Sequence, residues 1–119
     1  GYLDDAAFTH YWVENRDTFN PRGPLALRYE LRQKGVAEAI IDEALADFDT
    51  EDAAYRAAYD RARRLRGSSR QEFSHKLGSF LQRRGFDFQT SRDVVEQLCQ
   101  ELHAEDPEFF PADPDEDMP

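Results

Sequence analysis

Cysteine occurs once in the 119 residues, at Cys99, so no disulfide can form within the chain. That usage fits a reducing compartment, and a cytoplasmic setting is the expectation. No apolar run approaches the ~20 residues needed to cross a bilayer, and no leader pattern opens the chain. It starts on Gly1-Tyr2 rather than Met, which reads as an excised or processed segment. Chemical motifs are scarce as well. His10, His75 and His103 are scattered, with no His-Glu-x-x-His pair. Glu72 and His75 make one Glu-x-x-His, whereas a di-iron bundle needs a second copy and further inward glutamates. A glycine-rich phosphate loop and a nucleophile elbow are both missing. Cys99 reads as a small buried hydrophobe, and Asp4-Asp5 as helix-start charge. The expectation is a protein that is not an enzyme, with no cofactor, metal, membrane or small-molecule substrate.

Basic residues are missing from one whole segment. Residues 93–119 hold 10 acids and no Lys or Arg, and residues 1–52 hold 12 acids against 5 bases. Residues 53–92 reverse this, with 10 bases and 3 acids. The chain is acidic overall, at −10, around a basic island. Net acidity argues against a plain non-specific DNA coat, while the island suits a local anionic partner.

What is present is helical periodicity, and it recurs. In Leu27-Arg28-Tyr29-Glu30-Leu31-Arg32-Gln33-Lys34-Gly35-Val36, the two leucines share a helical face. Gly35 then fits a left-handed helix stop, with Val36 folding back on the last turn. A shift of fifty brings Leu77, Leu81, Gly85 and Phe86 onto Leu27, Leu31, Gly35 and Val36, although Phe80 replaces Glu30. Two copies of one helical unit, each marginal alone at about 50 residues, are therefore expected to lean on each other.

Taken in order, the first helix is expected to carry an apolar face of Phe8, Tyr11 and Trp12 and to end before the breakers Asn20-Pro21-Arg22-Gly23-Pro24. Pro24 opens the second helix, which stops at Gly35. The third carries Ile40, Ile41, Ala44, Leu45 and Phe48. In the second unit, Tyr55, Ala58, Tyr59 and Ala62 form the expected buried stripe of the first helix. Ser69 caps the helix holding Phe73, Leu77, Phe80 and Leu81, and Asp87 caps the last, with Val94, Val95, Leu98 and Leu102. Thr90-Ser91 replace Ile40-Ile41, so Phe86 and Phe88 are expected to fill that space. The Leu25–Tyr29 pair lies off the core face, either packed on a neighbour or exposed. From Ala104 the chain turns acidic and proline-rich, which reads as a mobile tail. Its one anomaly is Phe109-Phe110, which suits anchoring the tail's acids over the basic island. The expected fold class is all-α: three-helix repeats at 1–49 and 50–103, then a disordered acidic tail at 104–119.

Gly1-Tyr2-Leu3-Asp4-Asp5, Phe8, Arg16, Gly23-Pro24, Leu27, Glu30-Leu31 and Lys34-Gly35-Val36 together resemble the middle repeat of the RecX regulatory proteins. Lys76-Leu77, Phe80-Leu81 and Arg83-Arg84-Gly85-Phe86 resemble that family's closing repeat. The resemblance covers roughly residues 1–102. It implies tandem three-helix repeats and a non-enzymatic modulator that binds the RecA recombinase filament, restraining its ATPase and strand exchange in recombination and repair. The family pattern has a further three-helix repeat ahead of this stretch, carries an apolar pair at Thr90-Ser91, and lacks the acidic tail.

The residues singled out for contact with DNA or with an acidic recombinase surface are Arg56, Arg61, Arg63, Arg64, Arg70, Lys76, Arg83 and Arg84. Against this stands the plain reading that such cations complement helix C-termini and keep the surface soluble. Two rivals to a filament regulator remain. One is a RecA-independent binder of single- or double-stranded DNA; the other is a helical scaffold that uses no nucleic acid.

Overall fold

A computed structural model describes residues 2–19 and 21–112. It contains α1 (Tyr2–Phe19), α2 (Pro24–Gln33), α3 (Glu38–Leu45), α4 (Thr50–Arg63), α5 (Arg70–Arg83) and α6 (Phe88–Glu105). There is no strand among the described residues. The protein is all-α, built as tandem three-helix repeats of α1–α3 and α4–α6. Its extents are 69 × 20 × 18 Å, so the repeats lie end to end rather than forming a ball.

Both second helices stop by the same local chemistry. Gly35 has φ 80° and Gly85 φ 93°, the left-handed region that glycine enters without a Cβ penalty. Val36 N–H donates to Leu31 O at 3.0 Å and Gly35 N–H to Arg32 O at 3.0 Å. Phe86 and Gly85 repeat the pair on Leu81 O and Gln82 O, at 3.1 and 3.0 Å. These are the paired bonds of a Schellman stop. At the opposite ends, Asp49, Ser69 and Asp87 cap α4, α5 and α6 with their side chains.

Two apolar clusters follow the repeats. Val13, Leu27, Leu31, Val36, Ile40, Ile41 and Leu45 form the first. The second gathers alanines of α4, Phe73, Leu77, Phe80 and Leu81 of α5, Phe86, and the valines and leucines of α6. Phe48 packs against both.

Several side chains depart from expectation. Among the described side chains of α1 the buried ones are Thr9 and Val13, while Tyr11 is 64% exposed and Phe8 also faces solvent. Trp12 explains this. Its indole N–H donates to Glu30 Oε2 at 2.8 Å, and its ring lies between Arg16 and Lys34, 4.7 and 4.8 Å from the centroid. Held in this way, Trp12 packs part-buried against the first cluster while the smaller Thr9 and Val13 face inward. His10 is exposed beside Glu14. On α4 the buried stripe is Ala53, Ala54, Ala58 and Ala62, with the tyrosines at its edge. Tyr55 Oη donates to Glu101 Oε2 at 2.7 Å, and that carboxylate pushes the phenol pKa up to about 12. Phe86 is buried, whereas Phe88 is exposed. Leu25 and Tyr29 are exposed.

Residues 104–112 correct the mobile-tail reading. Helix α6 continues to Glu105, and Phe109 and Phe110 are only 4% and 6% exposed. Both rings pack edge-on against Phe73, with centroids at 6.0 and 5.2 Å. Gly67 N–H donates to Phe109 O at 2.9 Å, and Arg66 holds Asp106 at 2.7 Å. Two aromatic rings outweigh the acidic composition around them, since each brings a large apolar area to a ready partner. Asp113-Pro114-Asp115-Glu116-Asp117 lies outside the described residues.

Thr9 is fully buried, and its Oγ1 has no hydrogen-bond partner among the described residues. Thr9→Val, which keeps the shape and removes the unpaired hydroxyl, is expected to stabilise the protein by about 1 kcal/mol. A thermal melt measures it, and a lower melting temperature would show that the hydroxyl is bonded.

Candidate interaction surface at the joint between the repeats

Helix α2 begins without a side-chain cap, at Gly23. The second repeat supplies what is missing. Gly23 N–H donates to Arg84 O at 2.8 Å and Leu25 N–H to Gly85 O at 3.2 Å. The C-terminal carbonyls of α5 thus satisfy amides at the start of α2, and the two helix dipoles meet head to tail. Pro24 fits this arrangement because it has no N–H to place. The backbones come so close that a Cβ on Gly23 would stand 2.2 Å from Gly85 O. One on Gly85 would stand 2.4 Å from Ala26 Cβ.

This contact gathers arginines. Arg22 precedes Gly23 and Arg84 precedes Gly85, so the backbone bonds bring the two together. Arg61 joins them from α4. Its guanidinium carbon lies 4.2 Å from the Phe80 ring centroid, with that of Arg84 at 5.0 Å. Phe80 holds the register that Glu30 holds in the first repeat. Glu30 receives Trp12, Arg16 at 3.4 Å and Arg22 at 3.5 Å, the last without hydrogen-bond geometry. One position therefore collects arginines twice, on a carboxylate in one repeat and on an aromatic face in the other. Burial first, and then the nearby Arg22 and Arg61, hold the Arg84 guanidinium below the ordinary arginine value. Three arginines thus meet at this joint, with the Glu30 carboxylate beside Arg22. Planar guanidinium groups here can engage phosphate or carboxylate in two-point fashion.

The other cations disperse. Arg56 pairs with Asp52 at 2.8 Å on its own helix. Arg63 donates to Tyr59 Oη at 3.2 Å and faces Glu105 at 3.6 Å. Arg70 covers the Phe110 ring at 4.8 Å and reaches Cys99 Sγ at 3.3 Å. Arg64, Lys76 and Arg83 are exposed, with no ion pair among the described residues. Of the eight cations singled out from sequence, the joint brings together Arg61 and Arg84. Arg22 was missed. The signal that could have found it is the Arg-Gly dipeptide, which stands at 22–23 as it does at 84–85. Among the described residues no group of His, Cys, Asp and Glu is placed to hold a metal ion.

Stacked three-helix repeats that meet at an arginine-bearing seam define a helical-repeat protein. Residues 4–45 match the RecX second three-helix domain, and residues 49–95 the RecX third three-helix domain. The chain is 39% identical over 98 residues to the regulatory protein RecX of Chlorobium phaeobacteroides, covering 82% of this chain and 64% of that one. It is 38% identical over 96 residues to that of Prosthecochloris aestuarii, covering 81% and 63%. For a Mycobacterium relative (strain KMS) the figures are 36% over 102 residues, 80% and 56%. This chain belongs to the RecX family. It spans somewhat under two thirds of the length of these curated relatives. No solved structure matches it.

Proposed function

We propose that this chain regulates the RecA recombinase by binding, without catalysis, in the cytoplasm. It lies along the RecA nucleoprotein filament and restrains ATP hydrolysis and strand exchange. The observation that carries this reading is the convergence of Arg22, Arg61 and Arg84 on the joint. The elongated body suits a groove, and the seam offers anion contacts midway along it. Family membership supports the regulatory role.

The test is RecA ATPase on single-stranded DNA with the chain added. Wild type is expected to inhibit. The combined Arg22→Gln, Arg61→Gln and Arg84→Gln variant is expected to need about tenfold more protein or beyond, since one charge-assisted contact contributes roughly 1.5–3 kcal/mol. Equal inhibition by the variant removes the joint from the mechanism, and no effect at molar excess over RecA removes the reading.

RecA-independent DNA binding is the second reading, supported by the exposed Arg64, Lys76 and Arg83. It requires binding without RecA, with affinity falling by about one log unit per log unit of salt for each phosphate contacted.

A further inference from the structure

The two repeats differ on the outer side of their second and third helices. The fifty-residue shift places Gly78 on Arg28, Ser91 on Ile41 and Arg92 on Asp42. In the first repeat, Arg28 crosses from α2 to α3, meeting Asp42 at 2.7 Å and Glu38 at 3.6 Å. These contacts bridge the two helices. In the second repeat Gly78 has no side chain to cross with, and Arg92 stands where the carboxylate was. An open groove of about 710 Å³ remains between α5 and α6. Ser74 and Gly78 line one wall; Ser91, Val95 and Cys99 line the other.

We infer that this groove seats a helix of a partner protein, one that presents an acidic side chain among small apolar ones. Shape supports it first. The small residues recur every fourth position on both walls, so a third helix can ride close between α5 and α6. The same pair already accepts α4 through Ala53, Ala54, Ala58 and Ala62, all fully buried. Charge is the second support. In the first repeat a cation from α2 meets a carboxylate on α3; in the second, a carboxylate arriving above Gly78 meets Arg92, restoring the pair with its signs exchanged. Glu96 lies one turn beyond Arg92, and Arg70 lies elsewhere along the lining. Alternating signs suit a helix of mixed charge, whereas a nucleic-acid strand would bring phosphate against Glu96. The groove is separate from the arginine joint, and the inference does not rest on the filament reading.

The experiment titrates the ¹⁵N-labelled chain with an alanine-based helical peptide of ~18 residues bearing one glutamate every second turn. A thymidine oligonucleotide is titrated in parallel. The peptide is expected to shift amides at Gly78, Ser91, Arg92 and Cys99. The variant Gly78→Arg with Arg92→Asp rebuilds the first repeat's ion pair across the groove and is expected to weaken the peptide by about tenfold or more. A Cβ at Gly78 meets nothing within 4 Å, so this variant is expected to melt no lower than wild type. Gly78→Arg alone, which blocks the groove without touching Arg92, is expected to weaken the peptide too. Three outcomes overturn the inference: no peptide shifts in the groove at about 1 mM, oligonucleotide shifts there in their place, or variants that bind the peptide as wild type does.

Discussion

Gly85→Ala is expected to destabilise the protein by about 3 kcal/mol or more, while Gly35→Ala costs only about 1 kcal/mol. The two glycines share sequence context, left-handed φ and hydrogen bonds, so their difference isolates the joint. Alanine at either position meets the left-handed penalty, which is of order 1–2 kcal/mol. At Gly35 that is the whole effect, because a Cβ there meets nothing within 4 Å. At Gly85 the same Cβ would lie 2.5 Å from Ala26 N as well as against Ala26 Cβ. Relief requires the repeats to separate, which breaks the Gly23–Arg84 and Leu25–Gly85 bonds. Gly23→Ala is expected to act like Gly85→Ala, through contact alone, since its φ of −79° is ordinary. Urea melts followed by circular dichroism measure all three. Equal losses at Gly35 and Gly85 would show that the repeats do not lean on each other here.

Phe110→Ala is expected to cost about 3–5 kcal/mol, the usual range for a buried phenylalanine, and truncation after Asp106 more. Phe109 and Phe110 meet edge to face at 4.8 Å, as each also does with Phe73, so losing one loosens its neighbour. The polar clamp on this segment also makes it sensitive to acid. A hydrogen bond from Arg66, and then one from the Glu108 backbone N–H, hold the Asp106 carboxyl below its ordinary value of 3.8. A depressed carboxyl contributes stability that is present above its unfolded value and is lost as pH falls through the folded one. Docking of 106–110 is therefore expected to weaken below about pH 4, and Asp106→Asn to remove that limb of the profile. Melting curves between neutral and acid pH, with and without Arg66→Gln, test this. An unchanged melting temperature for Phe110→Ala would return the segment to the role of a free tail.

Elements whose causes are local were legible. Pro24 at a helix start, Ser69 and Asp87 as caps, and the glycine stops at 35 and 85 each depend on neighbours a few residues away. The Leu27–Leu31 and Leu77–Leu81 faces were legible for the same reason, because helical period alone aligns them. Long-range partners were not. Trp12 looked like part of an aromatic stripe, yet its N–H is committed to Glu30 and its ring to two cations. Phe109-Phe110 looked stranded among acids, because Phe73 lies far away in sequence. The candidate site was half visible. Arg61 and Arg84 stood out as members of a basic island, but Arg22 sits in an acidic half of the chain.

By itself the sequence determined six helices, their caps and glycine stops, the doubling of one unit and the family. Those follow from backbone chemistry and period, which act over a few residues. The tertiary structure alone decided which face of α1 turns inward and where the aromatic pair docks. It also decided that Gly23 meets Gly85 closely enough to draw three arginines from separate segments into one place. Such pairings depend on which surfaces fit when distant segments meet, and a linear pattern carries no record of that fit.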